Sequence, residues 1–472
     1  MSTSETKPAP KDYRMGPKAG GWLTAWRAPA VLAAVGAVGS LLAFSGDASR
    51  FGYSYLFALM VVLTMVFGAL FLVIIQHFTA GHWGVTTRRI VEVVMSGAPV
   101  AAVLAIPLFV GVATGQFHMY DEWMASHGDH DDHAHEDDHD HEHEGDHEEG
   151  SSEEATDEAG DEHGSLLVPR TVHAQENDGA YDATLPPTPQ MQAAHHHIIQ
   201  HKAAYLNVPG WFARALVYFL IWIGLALFFW RNSRKQDETK DLKLTIKMKA
   251  ATPIAAILFG LSITFAAFDW MMALEPAWYS TIFGVVIFSG SCVSILAFTS
   301  IVGMSLAKNA LVGNAINTEH IHDIGKLLFG FMCFWTYVSF SQWMLIWYAG
   351  IPEEATWFHK RWDHGGWSVW SISLLLGHFI FPFLFLISRV VKRNFGLMAF
   401  GAAWLLGMHV ADIYWYVLPQ AGPLSGNLGD IGALLFVGGT FFTYVFFMFT
   451  KVPLVPIGDP RLQRCIQHHQ SH

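Results

Sequence analysis

Across 472 residues, 52% of the side chains are hydrophobic and only 14% are charged, a balance that excludes an ordinary water-soluble or nucleic-acid-binding domain and points to a chain embedded in lipid. The formal net charge of -12 comes largely from one insert, so it assigns no partner to the apolar body. Three cysteines, Cys292, Cys333 and Cys465, imply no disulfide framework, and without CxxCH or a four-Cys grouping the sequence offers no ligands for covalent haem or an iron–sulfur cluster.

A polar N-terminal arm, residues 1–28, runs straight into the first apolar stretch without a signal-peptide cleavage site. Apolar runs long enough to cross a bilayer follow at about 29–45, 53–78 and 90–115. Residues 116–209 then interrupt the pattern, and seven more runs follow at about 210–230, 250–268, 279–306, 325–350, 367–388, 395–418 and 430–450. A tail, residues 453–472, closes the chain. The spacing predicts an all-α integral membrane protein of about ten spans.

Basic residues orient it. With the N-terminus cytoplasmic, 22 of the 28 Lys and Arg fall on inside segments, and only Arg50, Arg170, Lys202, Arg214, Lys360 and Arg361 lie outside. That bias fits an even span count with both termini cytoplasmic. Residues 116–209 are then periplasmic. Within them, 127–147 hold eight histidines and ten Asp or Glu, a run with no apolar face, predicted to be disordered. Imidazole and carboxylate together bind Zn, Cu or Ni, but no fixed ligand spacing marks a metal site.

Polar residues at or within the spans carry the remaining chemistry. Asp269 and Glu275 sit among tryptophans in the stretch from Phe268 to Tyr279, where an acid near hydrocarbon is a candidate for proton handling and, equally, for solvation in the headgroup layer. In the ninth span His409, Asp412 and Tyr416 recur at i, i+3 and i+7, so they share one helix face, able to pass protons or hold a quinone head group. His378, near the middle of the eighth span, can donate or accept a proton. Towards the inner side lie His77, Glu92, His320, His322, Asp323 and Lys326, which together would make a proton entrance. Glu92 within a turn of Arg88 and Arg89 also reads as a topology-fixing ion pair.

The segment Phe268 to Gly284 (FDWMMALEPAWYSTIFG), the segment His409 to Pro419 (HVADIYWYVLP) and the ten-span layout resemble the F-type membrane subunits of bacterial alternative complex III, within the wider polysulfide-reductase-C or NrfD-like family of membrane anchors. The resemblance covers nearly all of the chain except the His-rich insert, which is atypical of that pattern. It implies two four-helix bundles with peripheral helices in a bacterial inner membrane. It also implies a quinol:cytochrome c oxidoreductase in which this chain binds no redox cofactor, while a multihaem c-type cytochrome, an iron–sulfur subunit and a homologous membrane anchor are its partners. Family roles in quinone contact or proton conduction carry over only to Asp269, Glu275, His409 and Asp412. Two other classes stay open: a metal or cation transporter with a His-rich external loop, and a purely structural anchor.

Overall fold

The computed structural model describes residues 12–81, 84–124, 197–350, 352–362 and 365–467, and the His-rich run 127–147 lies outside them. Among the described residues there is no strand, and ten helices are long and apolar enough to cross a membrane. They are α1 (Ala19–Gly46), α2 (Ala48–Phe78), α3 (Val85–Ala113), α4 (Val208–Thr239), α5 (Leu242–Leu274), α6 (Phe283–Lys308), α7 (Thr318–Ala349), α8 (Trp367–Leu386), α9 (Phe395–Ala421) and α10 (Leu428–Lys451). The chain is a multi-pass membrane protein.

Local chemistry starts these helices where they begin. Side chains of Asp47, Asn207, Asn317, Asn394 and Asn427 accept backbone N–H bonds at the first turns of α2, α4, α7, α9 and α10, satisfying donors that have no partner within a helix. At α7 the cap is reciprocal, because the His320 ring also bonds the backbone N–H of Asn317.

α2 and α6 form the centre: 89% and 83% of their most apolar windows are buried, against 11% for α1. Around them α2, α3, α4 and α5 pack as one four-helix bundle and α6, α7, α8 and α9 as a second. α1 and α10 form an outer pair laid against α2. The bundles meet where Gly68 of α2 crosses α6, since a Cβ there would stand 2.1 Å from the Ser291 carbonyl oxygen. No residue but glycine permits that approach.

Span boundaries depart from the apolar runs where charges are buried in pairs. α3 begins at Val85 rather than near residue 90, because Arg88 and Arg89 are neutralised inside the protein and belong to the helix. α5 continues to Leu274, so Asp269 lies on its last turns. Helical structure already begins in the predicted arm, at Pro17–Thr24. The predicted tail is packed as far as Ile466, with Leu454, Val455, Asp459 and Cys465 buried. The Leu454 amide donates to the Tyr13 carbonyl at 2.9 Å, so the described ends of the chain meet on one side, as an even span count requires.

Candidate functional site

The second bundle encloses a cluster of ionisable side chains. His409, Asp412 and Tyr416 do share one face of α9 and are 0%, 2% and 4% exposed. From α2, the Thr64 hydroxyl lies 2.9 Å from His409 Nε2 and also 2.9 Å from the Val61 carbonyl oxygen. A hydroxyl has one proton; with it on Val61, Nε2 is the donor to Thr64 and His409 Nδ1 remains a bare acceptor. Gly290 of α6 supports the other side of the ring, where an added Cβ would lie 3.2 Å from Nδ1.

From α7, Trp335 Nε1 donates to Asp412 Oδ2 at 3.0 Å, and the same indole lies over His378 of α8 with ring centres 3.9 Å apart at 25°. His378 occupies a π-helical turn, Leu375–Ile380, whose wide winding leaves the Gly377 carbonyl to accept from Trp404 Nε1 at 2.7 Å. Among the described residues, neither nitrogen of His378, nor His409 Nδ1, nor Asp412 Oδ1 has a hydrogen-bond partner. Two residues singled out in the sequence, Asp412 and His378, thus meet at Trp335, with His409 and Tyr416 on the same α9 face as Asp412.

Asp412 is set apart by charge. Among the described residues, the other buried carboxylates, Glu92, Asp237, Asp269, Glu275, Asp323, Asp430 and Asp459, all lie within ion-pair distance of Lys or Arg. Asp412 has no such cation, and a lone carboxylate in that setting is costly to ionise.

Asp269 illustrates the contrast. It is buried on α5 and chelated by Arg214 of α4, Nε to Oδ2 and Nη2 to Oδ1, both at 2.9 Å. Tyr218 donates to Oδ2 at 2.7 Å. This is a closed ion pair inside the first bundle rather than a solvated headgroup-layer acid. Glu275 pairs with the half-exposed Lys360 of the short helix Pro352–Trp362.

The same short helix carries Arg361, buried with no carboxylate at ion-pair distance among the described residues. Its guanidinium lies 3.5 Å from the Trp357 ring centre and donates to the Trp357 and Tyr416 carbonyls at 2.8 Å and to the Trp415 carbonyl at 3.2 Å. It thereby holds the negative end of α9's dipole one turn beyond Asp412. Burial pushes Arg361 down to about 9, with Glu275 acting in the opposite direction, so it is a cation at neutral pH.

The six inner candidates do not form one site. Glu92 receives Arg88 Nε at 2.8 Å, Arg89 Nη1 at 2.9 Å and the Ser233 hydroxyl at 2.9 and 3.0 Å. Arg89 continues to Asp237, and Arg88 to Asp459 of the C-terminal segment, itself clasped by Arg461. Burial opposes ionisation of Asp459, but Arg461 and Arg88 hold its carboxyl well below the usual range. His77 lies parallel to Phe229 beside this network, with neither ring nitrogen bonded among the described residues. His320 is instead a helix cap whose Nε2 contacts the Cys465 carbonyl at 2.9 Å. Asp323 pairs with Lys326 at 2.7 Å, one turn away on α7, and His322 lies beside them. The expectation of a single proton entrance is corrected accordingly: pairing and capping account for four of the six.

Trp335, Thr64, Arg361, Asp237 and Asp459 carried no motif. One sequence signal did exist for several partners. Of the six Lys and Arg on the predicted outer side, Arg50, Arg214 and Lys360 hold buried acids, Arg361 holds α9, and Lys202 donates to the Pro276 carbonyl at 2.5 Å. Arg170 lies outside the described residues. The five described cations that run against the topological bias are each held by the fold. Among the described residues, no group of three or more His, Cys, Asp or Glu is arranged to hold a metal ion. No protein-family model and no curated protein matches this chain.

Proposed function

We propose that the chain is a membrane subunit of a respiratory quinol:cytochrome c oxidoreductase of the alternative complex III type, in a bacterial inner membrane with both termini cytoplasmic. The observation that carries this reading is Asp412, a buried carboxylate without a cation, set beside His409, His378 and Tyr416 in the second bundle. An uncompensated acid next to two imidazoles is suited to exchanging protons rather than to holding helices together. Quinol oxidation yields two protons, and a membrane subunit with such a cluster would conduct them or contact the quinone head group. Electrons would pass through haem c and iron–sulfur centres of partner subunits, alongside a homologous membrane anchor.

Gentle detergent purification of the tagged chain from its native membrane, followed by haem-stained electrophoresis and a quinol:cytochrome c reductase assay, tests the assignment. Copurifying c-type haem subunits with quinol oxidation are the expected result. A chain that purifies alone without haem or activity would sink it. Within an active complex, Asp412→Asn should lower turnover and proton release while assembly stays intact.

A further inference from the structure

One side chain touches two ionisable members of the buried cluster. The Trp335 N–H donates to Asp412 Oδ2 at 3.0 Å, and its ring face lies 3.9 Å from the His378 ring centre. The groups facing this trio are few. α9 presents His409 and Tyr416, and α2 presents the neutral Thr64. α6 presents Gly290 and carries no ionisable side chain between Phe283 and Lys308 other than Cys292. α8 has none besides His378, and Arg361 stands beyond Tyr416.

We propose that Trp335 is a positioning residue that stabilises the charge-separated state of the cluster, in which Asp412 is a carboxylate and His378 an imidazolium. In reaching that state one O–H bond at Asp412 breaks and one N–H bond at His378 forms, so the proton is conserved and the cluster's charge is unchanged. An N–H donor favours the carboxylate over the neutral acid, since bonds to ionised acceptors are the stronger ones. An aromatic face favours a cation over a neutral ring, through the quadrupole of the indole. Trp335 therefore acts on both ends of the transfer with a single rigid side chain. The π turn contributes by presenting His378 to that face, and among the described residues neither imidazole nitrogen has a hydrogen-bond partner, so whichever of the two carries no proton is open to receive one. The inference rests on the proton-handling reading of the site.

Infrared difference spectroscopy between acid and alkaline pH, on the full chain within the complex it purifies with, tests it. The carboxyl band that Asp412→Asn removes belongs to Asp412. Trp335→Phe keeps a ring face and drops the N–H. It should move that band to higher wavenumber, delay its disappearance to higher pH and lower turnover roughly tenfold or more. Trp335→Leu, which lacks both features, should lose more. If Trp335→Phe leaves the band and its pH profile at their wild-type positions, Trp335 is packing alone and the proposal fails. A variant that does not fold can be replaced by the unsubstituted chain carrying 15N in its indoles. An indole N–H band that moves together with the Asp412 band supports the proposal, and none moving overturns it. Asp412→Asn with full turnover and proton release would remove the proton-handling reading too, whereas an unmoved band removes only the role of Trp335.

Discussion

Asp269 in the first bundle and Asp412 in the second are comparably buried acids, yet among the described residues Arg214 chelates one and only an indole N–H reaches the other. The first bundle answers every acid it buries with a cation, culminating in the Glu92 network that ties α3, α4 and the C-terminal segment together. The second leaves Asp412 with unfilled hydrogen-bonding capacity beside His378 and His409. Equal burial therefore does not mean equal role. Acids locked between arginines serve architecture, because removing one strands a charge, while an acid without a counter-charge is free to change its protonation state.

The largest effect separating the two regions should come from Glu92→Ala. It removes the carboxylate that the buried Arg88 and Arg89 share, leaving each with one acid, Asp459 and Asp237, and should destabilise the chain by ~3–5 kcal/mol, measured as a lower unfolding midpoint in detergent. Asp269→Asn leaves Arg214 without its counter-charge; that guanidinium is 23% exposed, so water offsets part of the loss and about 1–3 kcal/mol is expected by the same measurement. Asp412→Asn should change stability by less than ~1 kcal/mol, because it strands no cation. Its effect should instead fall on turnover. Should Asp412→Asn prove as destabilising as Glu92→Ala, the contrast between the bundles collapses.

The smallest effect concerns pH. The Asp459 carboxyl is held below its unfolded value of about 3.9. Its contribution is therefore fully present above that value and is lost as pH falls through the lower folded value. Hydrogen exchange of residues 452–466 should stay slow at pH 5 and quicken only in stronger acid. In Asp459→Asn it should be fast already at neutral pH.

Much of the architecture was legible because a bilayer imposes a length and a polarity on each span. Ten apolar runs became ten helices, and boundaries moved where helix ends lay in polar sequence, at α3 because the buried Arg88–Glu92 pair belongs to the helix. The stripe His409, Asp412 and Tyr416 was legible because one helix determines it. Whether Glu92 and Asp269 were functional or structural was not, since the answer lay in Ser233, Asp237 and Arg214 on another helix.

By itself the sequence determined what a single helix or the membrane dictates: span number and which side chains share a helical face. Only the tertiary structure decided which acids are neutralised. It decided too that Trp335, 77 residues from Asp412 along the chain, joins that acid to His378. Pairing depends on which helices become neighbours, and the packing of two bundles across Gly68, rather than any local pattern, sets that.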